Sequence, residues 1–292
     1  MNVETLKLFP WEIIDHLIQL ALEEDLGATG DITTDSTVPQ TVCGKAKLIS
    51  KAEGTLAGLP VFERVFDNLS AKQIELKPFK KDGDHLKKSD IVAELNGPLY
   101  HILRSERIAL NFLQHCSGVA TQTSQFVQAI RGNDCKILDT RKTTPGFRWL
   151  DKYAVRQGGG YNHRTGLFDM VLIKDNHIES AGGIDAVLTQ CLDFLEKSST
   201  KVNVEIEVKN IDELKTALKY PINRIMLDNM DVTTMKQAVD LVKGKVELEA
   251  SGNVTLETIR SIAETGVDVI SVGALTHSAL AFDFSLLVEI SD

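Results

Sequence analysis

Residues 202–273, VNVEIEVKNIDELKTALKYPINRIMLDNMDVTTMKQAVDLVKGKVELEASGNVTLETIRSIAETGVDVISVG, decide the architecture. Four short apolar runs stand out within them: VNVEIEV (202–208), RIMLDN (224–229), VELEAS (246–251) and DVISVG (268–273), each with the composition of a strand. Between the runs lie IDELKTALKY (211–220), VTTMKQAVDLVKG (232–244) and TLETIRSIAETG (255–266), whose apolar residues return at helical spacing. Upstream, KILDT (136–140) and DMVLIKD (169–175) add two strands and IDAVLTQCLDFLEK (184–197) another helix, so six β-units follow one another. Strands joined through helical crossovers run parallel. A barrel and an open doubly wound sheet both satisfy this alternation. No G-x-G-x-x-G opens the first unit, which weakens a dinucleotide-binding reading, and charged residues close nearly every strand, as on the catalytic face of a barrel. The barrel is the expected fold.

The N-terminal part reads differently. Pro10 begins a helix whose apolar residues Ile13, Ile14, Leu17, Ile18 and Leu22 share one face, and Gly27 ends it. Strand-like AKLIS (46–50), GTLAG (54–58), QIELKPF (73–79) and DIVAELNG (90–97) follow, separated by glycine, proline and Lys-Asp-Gly turns, with a helical segment at VFERVFDNL (61–69). These elements make a small α+β domain. A long helical pattern at 103–130 leads out of it, and the boundary is placed near its middle. A length of 292 residues suits one barrel with a small companion. The expected division is residues 1–115, joined by 278–292, against a catalytic barrel at 116–277.

Composition excludes several classes. No apolar run approaches the roughly 20 residues needed to cross a bilayer. The first residues, MNVETLKLFPWEII, carry acidic groups early and no basic region before an apolar core, so no leader is expected and the cytoplasm is the expected compartment. Cys43, Cys116, Cys135 and Cys191 are far apart with no C-x-x-C pair, which reads as reduced thiols. A net charge of −9 argues against a nucleic-acid or membrane-surface binder, so an anionic substrate must meet a local cationic site.

The strand ends supply that site. Asp139, Arg141 and Lys142 follow the first barrel strand, Lys174 and Asp175 the second, and Glu207, Asp228, then Glu249 with Ser251 the next three. In a parallel barrel all these ends converge on one face. DTRKTTPGFR (139–148) suits a shaped loop gripping an anion, since the arginine fork matches carboxylate or phosphate oxygens. In QGGGYNHRTGLFDMVLIKDNH (157–177) a glycine run precedes His163, Arg164, Lys174 and His177, a second cationic group in which His177 stays unassigned. Glu207 and Asp228 suit ribose hydroxyls or a magnesium ion, or else serve as partners of the neighbouring lysines and arginines. Ser251-Gly252-Asn253 and Gly273-Ala274 make two small-residue loops after the last strands, where barrels bind phosphate through backbone N–H groups.

Together these motifs resemble the quinolinate phosphoribosyltransferase family, the carboxylating nicotinate-nucleotide pyrophosphorylases. The resemblance runs through ALEEDLGATGDITT (21–34), SERIALNFLQHCSGVAT (105–121), DTRKTTPGFR, GGGYNHRTGLFDMVLIKDNH, VEIEV, IMLDN, LEASGNV (248–254) and SVGALTH (271–277), nearly the whole chain. It implies an α/β fold: an incomplete, TIM-like parallel barrel of about seven strands beside a smaller α+β sandwich domain, to which FDFSLLVEI (282–290) returns. It implies a transferase that converts quinolinate and phosphoribosyl pyrophosphate, with Mg2+, into nicotinate mononucleotide, pyrophosphate and CO2 in NAD biosynthesis. Carried over by position, Arg107, Arg141, His163, Arg164 and Lys174 would hold the quinolinate carboxylates. Lys142 would approach the pyrophosphate. Glu207 and Asp228 would meet the ribose hydroxyls or the metal shell, and Ser251, Gly252, Asn253, Gly273, Ala274 and His277 the 5′-phosphate. Lys142, Lys174, Glu207 and Asp228 are the expected catalytic groups. The resemblance further implies a homodimer in which Arg107 completes the neighbouring site. A transferase acting on nicotinate and a non-catalytic phosphometabolite binder are the competing readings; carbon dioxide release separates the first, and product formation the second.

Overall fold

The computed structural model describes residues 9–290; the first eight residues, on which the leader reading chiefly rests, and the last two lie outside the described residues. Of the described residues, 9–124, 143–159 and 276–290 form one compact unit, and 125–142 with 160–275 form a second. The crossings at 124, 142 and 159 carry no break in composition that would announce them.

In the first unit, β1 (Cys43–Ser50), β3 (Glu75–Pro78), β5 (Ile91–Pro98) and β12 (Phe284–Ile290) make an antiparallel sheet in the order β12-β1-β5-β3, with β2 (Gly54–Thr55) and β4 (His85–Leu86) as a separate pair. β1 shows the reason for its conformation: Gly44, Ala46, Leu48 and Ser50 are buried while Cys43 and Lys45 face water, the alternation of a half-buried strand. The C-terminal strand pairs antiparallel along β1 from Gly44↔Ile290 to Ser50↔Phe284. The helix Leu59–Ser70 starts with proline in its first turn and buries Val61, Phe62, Val65 and Phe66 on one face. GTLAG reads as a five-residue strand, but only its first two residues pair. Thr55 and Ala57 turn their N–H groups to the Thr121 (2.9 Å) and Ser117 (3.1 Å) hydroxyls of the long helix Leu99–Ala129, while Leu56 still bonds through its backbone to Gly83 and Asp84.

The second unit holds the parallel sheet: β6 (Lys136–Leu138), β7 (Met170–Ile173), β8 (Asn203–Val208), β9 (Arg224–Asp228), β10 (Glu247–Ser251) and β11 (Val269–Ser271), ordered β6-β11-β10-β9-β8-β7. From β7 to β11 consecutive strands are neighbours, and β6, the first, lies beside β11, the last. That cyclic order belongs to a barrel; a doubly wound sheet reverses direction at an internal switch point. On its other edge β6 makes a parallel bridge, Leu138↔Tyr161, a seventh short extended segment. Among the described residues no ladder joins that segment to β7, so the barrel is incomplete. Helices Ile184–Ser198, Ile211–Ala217, Val232–Val242 and Ile259–Ala263 fill the crossovers. Asn210 and Asp231 cap two of them, each side chain accepting from backbone N–H groups in the first turn.

Register explains which side chains meet. Glu205 on β8 is level with Arg224 on β9, which is level with Glu247 on β10; two residues on, Glu207, Met226 and Glu249 form the next row, and Asp228 is level with Ser251. Successive inward positions therefore stack in layers, with the last layer at the strand C-termini.

Candidate active site

A cavity of about 540 Å³ opens at those C-termini within the second unit. Arg141, Lys142, His163, Arg164, Lys174, Glu207, Asp228, Ser251, Gly252 and Asn253 line it, so ten of the residues given a substrate role from sequence share one wall. Thr140, Leu172, Met226, Asn229, Glu249 and Ser271 complete it. Leu172 and Met226 are strand residues whose apolar character hid them among core positions. Gly273 and Ala274 follow β11 two and three residues beyond Ser271, at the start of the short helix Ala274–His277, outside this wall. His277 belongs to the first unit, where its Nδ1 lies 2.6 Å from the Ser278 hydroxyl. Arg107 also lies in the first unit, on the helix Leu99–Ala129, where it lines a different cavity of about 410 Å³ with Leu17, Leu20, Glu24, Asp25 and Phe112 among others.

On the cationic flank Arg141 keeps a donor for an anion. Arg141 Nε is buried and has no protein partner among the described residues. Arg164 donates from Nη1 to the Met170 carbonyl at 3.2 Å, which fixes its guanidinium over the 164–170 loop. The same loop is closed by Asp169, accepting from the N–H groups of Thr165 (2.7 Å) and Gly166 (3.0 Å). Burial and the nearby Arg141 charge both lower the Arg164 pKa. Crowding two guanidiniums in this way favours a ligand bearing more than one negative charge. Lys174 caps the helix Asp175–Ala181, and its N–H donates to His177 Nδ1 at 2.9 Å, which gives His177 a structural place. Its ammonium meets Glu207 Oε2 at 3.0 Å, across from β7 to β8. Asp175 turns to Lys209 instead, 3.3 Å away on the exposed side.

A buried ionic cluster runs inward from the cavity wall at His163 and Glu249. His163 Nε2 stands 3.1 Å from Glu205 Oε2 and 3.3 Å from Glu249 Oε2, and Arg224 Nη1 donates to Glu249 Oε2 at 3.1 Å. The Arg164 N–H donates to His163 Nδ1 at 2.7 Å. Both ring nitrogens thus face protein groups, so His163 offers an anion its charge and ring edge. Burial pulls its pKa down, but the two carboxylates outweigh burial and raise it to about 9. The Arg164 N–H opposes a proton on Nδ1, and so fixes Nδ1 as the nitrogen that deprotonates first. Burial pushes Glu205 up to about 7, aided by repulsion from Glu249. Glu249 is pushed up by burial too, but His163 and Arg224 prevail and its pKa is lowered. Asp139, fully buried at the end of β6, accepts from the His163 N–H (2.9 Å) and Asn162 Nδ2 (2.6 Å), and so anchors the loop.

Strand-end cations on one flank, carboxylates between, and a small-residue loop beyond define an α/β-barrel enzyme built to hold anionic substrates. Residues 31–117 match the model of the quinolinate phosphoribosyl transferase N-terminal domain, and residues 119–287 that of its C-terminal domain. The chain belongs to the quinolinate phosphoribosyltransferase family. It is 42% identical over 291 residues to quinolinate phosphoribosyltransferase [decarboxylating] 2, mitochondrial, of Nicotiana glauca, covering 94% of this chain and 82% of that one. The structure of NadC from Streptococcus pyogenes superposes with a TM-score of 0.92 at 39% identity, covering 97% of this chain and 99% of that one. The nicotinate-nucleotide pyrophosphorylase from Francisella tularensis gives 0.90 at 43% identity, with 96% and 98% covered.

Proposed function

We propose that this chain transfers the phosphoribosyl group of phosphoribosyl pyrophosphate to quinolinate and decarboxylates the adduct, giving nicotinate mononucleotide, pyrophosphate and CO2 for NAD biosynthesis. The observation that carries this reading is one cavity uniting Arg141, Lys142, Arg164 and Lys174 with Glu207, Asp228 and the loop 251–253. A dicarboxylate suits the crowded cations, a ribose suits the carboxylates, and a terminal phosphate suits the loop.

In this reading the anomeric C–O bond to pyrophosphate breaks as the pyridine nitrogen forms the new N–C bond. The nitrogen becomes cationic, so the C2–carboxylate bond can break with its electron pair held at C2, which then takes a proton. No protein nucleophile is needed. Arg141 and Arg164, with the His163 charge behind them, orient the carboxylates; Arg107 and Lys174 act on the same substrate. Lys142 faces the departing pyrophosphate, whose growing charge it stabilises. Glu207 and Asp228 hold the ribose hydroxyls. Ser251, Gly252, Asn253, Gly273, Ala274 and His277 serve the 5′-phosphate.

Magnesium fits this donor set. Glu207 and Asp228 present hard carboxylate oxygens in the cavity wall, and Mg2+ needs only one or two such ligands besides substrate oxygens and water. Bound there, it would neutralise charge on the pyrophosphate. A homodimer is the proposed assembly, with Arg107 from one subunit completing the site of the other. The four cysteines are free thiols, which supports a reducing compartment such as the cytoplasm.

The test follows nicotinate mononucleotide and CO2 from quinolinate labelled in its C2 carboxylate. Release of label only when phosphoribosyl pyrophosphate is present is the expected result. Mononucleotide formed from nicotinate instead, with quinolinate inert, would overturn the acceptor.

A further inference from the structure

Asn229, which follows β9 directly, has no part in the roles above, yet its backbone and side chain bind three other residues of the wall. Its N–H donates to the Ser251 carbonyl at 2.9 Å. Its amide Nδ2 donates to Asp228 Oδ1 at 2.9 Å, and its amide Oδ1 accepts from Asn253 Nδ2 at 3.1 Å. The residue sits at φ +51, in the left-handed region that asparagine enters more readily than most side chains, and Asn253 does the same at φ +49. Gly252 passes so close that a Cβ there would overlap the Asn229 amide oxygen. One side chain therefore joins the carboxylate at the end of β9 to the small-residue loop at the end of β10.

We propose that Asn229 is a positioning residue that sets the spacing between the ribose-binding carboxylate Asp228 and the phosphate-binding loop 251–253. This rests on the proposed function, in which those two groups hold one phosphoribosyl unit. The spacing between a ribose hydroxyl and its own 5′-phosphate varies little, so a fixed spacing between their receptors selects for a 5-phosphorylated ribosyl donor. The amide is suited to the task because it offers a donor to the carboxylate and an acceptor to Asn253 at once. Aspartate in its place would set two carboxylates against each other. Glycine would keep the left-handed backbone, and the Ser251 bond with it, while removing both side-chain bonds.

The experiment compares wild type, Asn229→Gly and Asn229→Asp in the two-substrate assay, with melting temperature as a parallel readout. A misplaced binding group costs on the order of a hundredfold where geometry is pre-set. The expected result is therefore a fall of about 10- to 100-fold in kcat/KM for phosphoribosyl pyrophosphate in both variants, with the KM for quinolinate within about twofold of wild type. The Gly variant keeps the wild-type melting temperature, because its backbone strain is relieved. Equal loss toward both substrates, or loss that tracks melting temperature, would mean a merely structural role and overturn the proposal. So would an unchanged KM for phosphoribosyl pyrophosphate. Wild-type protein that makes no nicotinate mononucleotide would instead overturn the proposed function.

Discussion

His163 shows how a residue's neighbours set what it can do. Its pKa rises from an ordinary 6.5 to about 9 because burial, which opposes the charge, is outweighed by Glu205 and Glu249. A group whose folded pKa lies above its unfolded value contributes stability that is fully present below the unfolded pKa and is lost as pH rises through the folded one. Glu205, pushed up by burial, works in the same direction. The stability gap between wild type and His163→Gln is therefore expected to be widest below about pH 6.5 and to close toward about pH 9, read by denaturant midpoints across that range. A gap that stays flat or widens would show that the ring is neutral throughout. Sequence placed His163 in a glycine-rich cationic loop and Glu249 at a strand end, but not their meeting. Alternation in VEIEV shows that Glu205 and Glu207 share a face, while only the register with Arg224 and Met226 tells which one faces the cavity and which lies a layer below. Asn229 was hidden for the same reason, since its partners come from the next strand. Leu172 and Met226 carried no signal separating a cavity wall from a core.

At the scale of elements, the strands of the parallel sheet were legible because branched residues and helical crossovers repeat; KILDT, DMVLIKD, RIMLDN and DVISVG run one or two residues past the C-terminal ends of their strands, whereas VNVEIEV and VELEAS stop at them. The helix Arg148–Gln157 was not legible. Its RWLDKYAVRQ is polar on average, and it buries Asp151, Lys152 and Tyr153, residues that periodicity assigns to solvent. Tyr153 donates to Asp82 at 2.6 Å, and His115 Nε2 lies 2.6 Å from Asp151 Oδ1, so partners from distant segments make that burial tolerable. The helix Leu99–Ala129 depends on close approach. A Cβ on Gly118 would overlap the Leu280 carbonyl oxygen, and one on Gly158 the Ala120 carbonyl oxygen. Each neighbour is backbone and cannot swing aside. Gly118→Ala is therefore expected to cost about 1–3 kcal/mol, even though alanine is the better helix former, because overpacking exceeds the gain in propensity of just under about 1 kcal/mol. Equilibrium unfolding in urea checks it; a stabilised variant would show that the 276–290 segment can move away from the helix.

At the scale of the whole molecule, a chain of net charge −9 must gather its cations locally, and the cavity in the second unit does so with Arg141, Lys142, Arg164 and Lys174. Arg107 lies in the other unit, exposed, in a cavity shared with the exposed carboxylates Glu24 and Asp25. A symmetric dimer in which each subunit lends Arg107 to its neighbour makes a quantitative prediction. Arg107→Ala and Arg141→Ala should each abolish most activity as pure dimers. Mixed, denatured and refolded together in equal amounts, they give heterodimers as half of all dimers. In a heterodimer one site lacks both arginines, while the other keeps Arg141 of its own subunit and Arg107 of the partner. One intact site in half the dimers restores about a quarter of wild-type activity. Recovery near that value, rising with protein concentration as dimers form, supports the shared site. No recovery, with both variants folded and dimeric by sedimentation, would mean that Arg107 serves its own subunit.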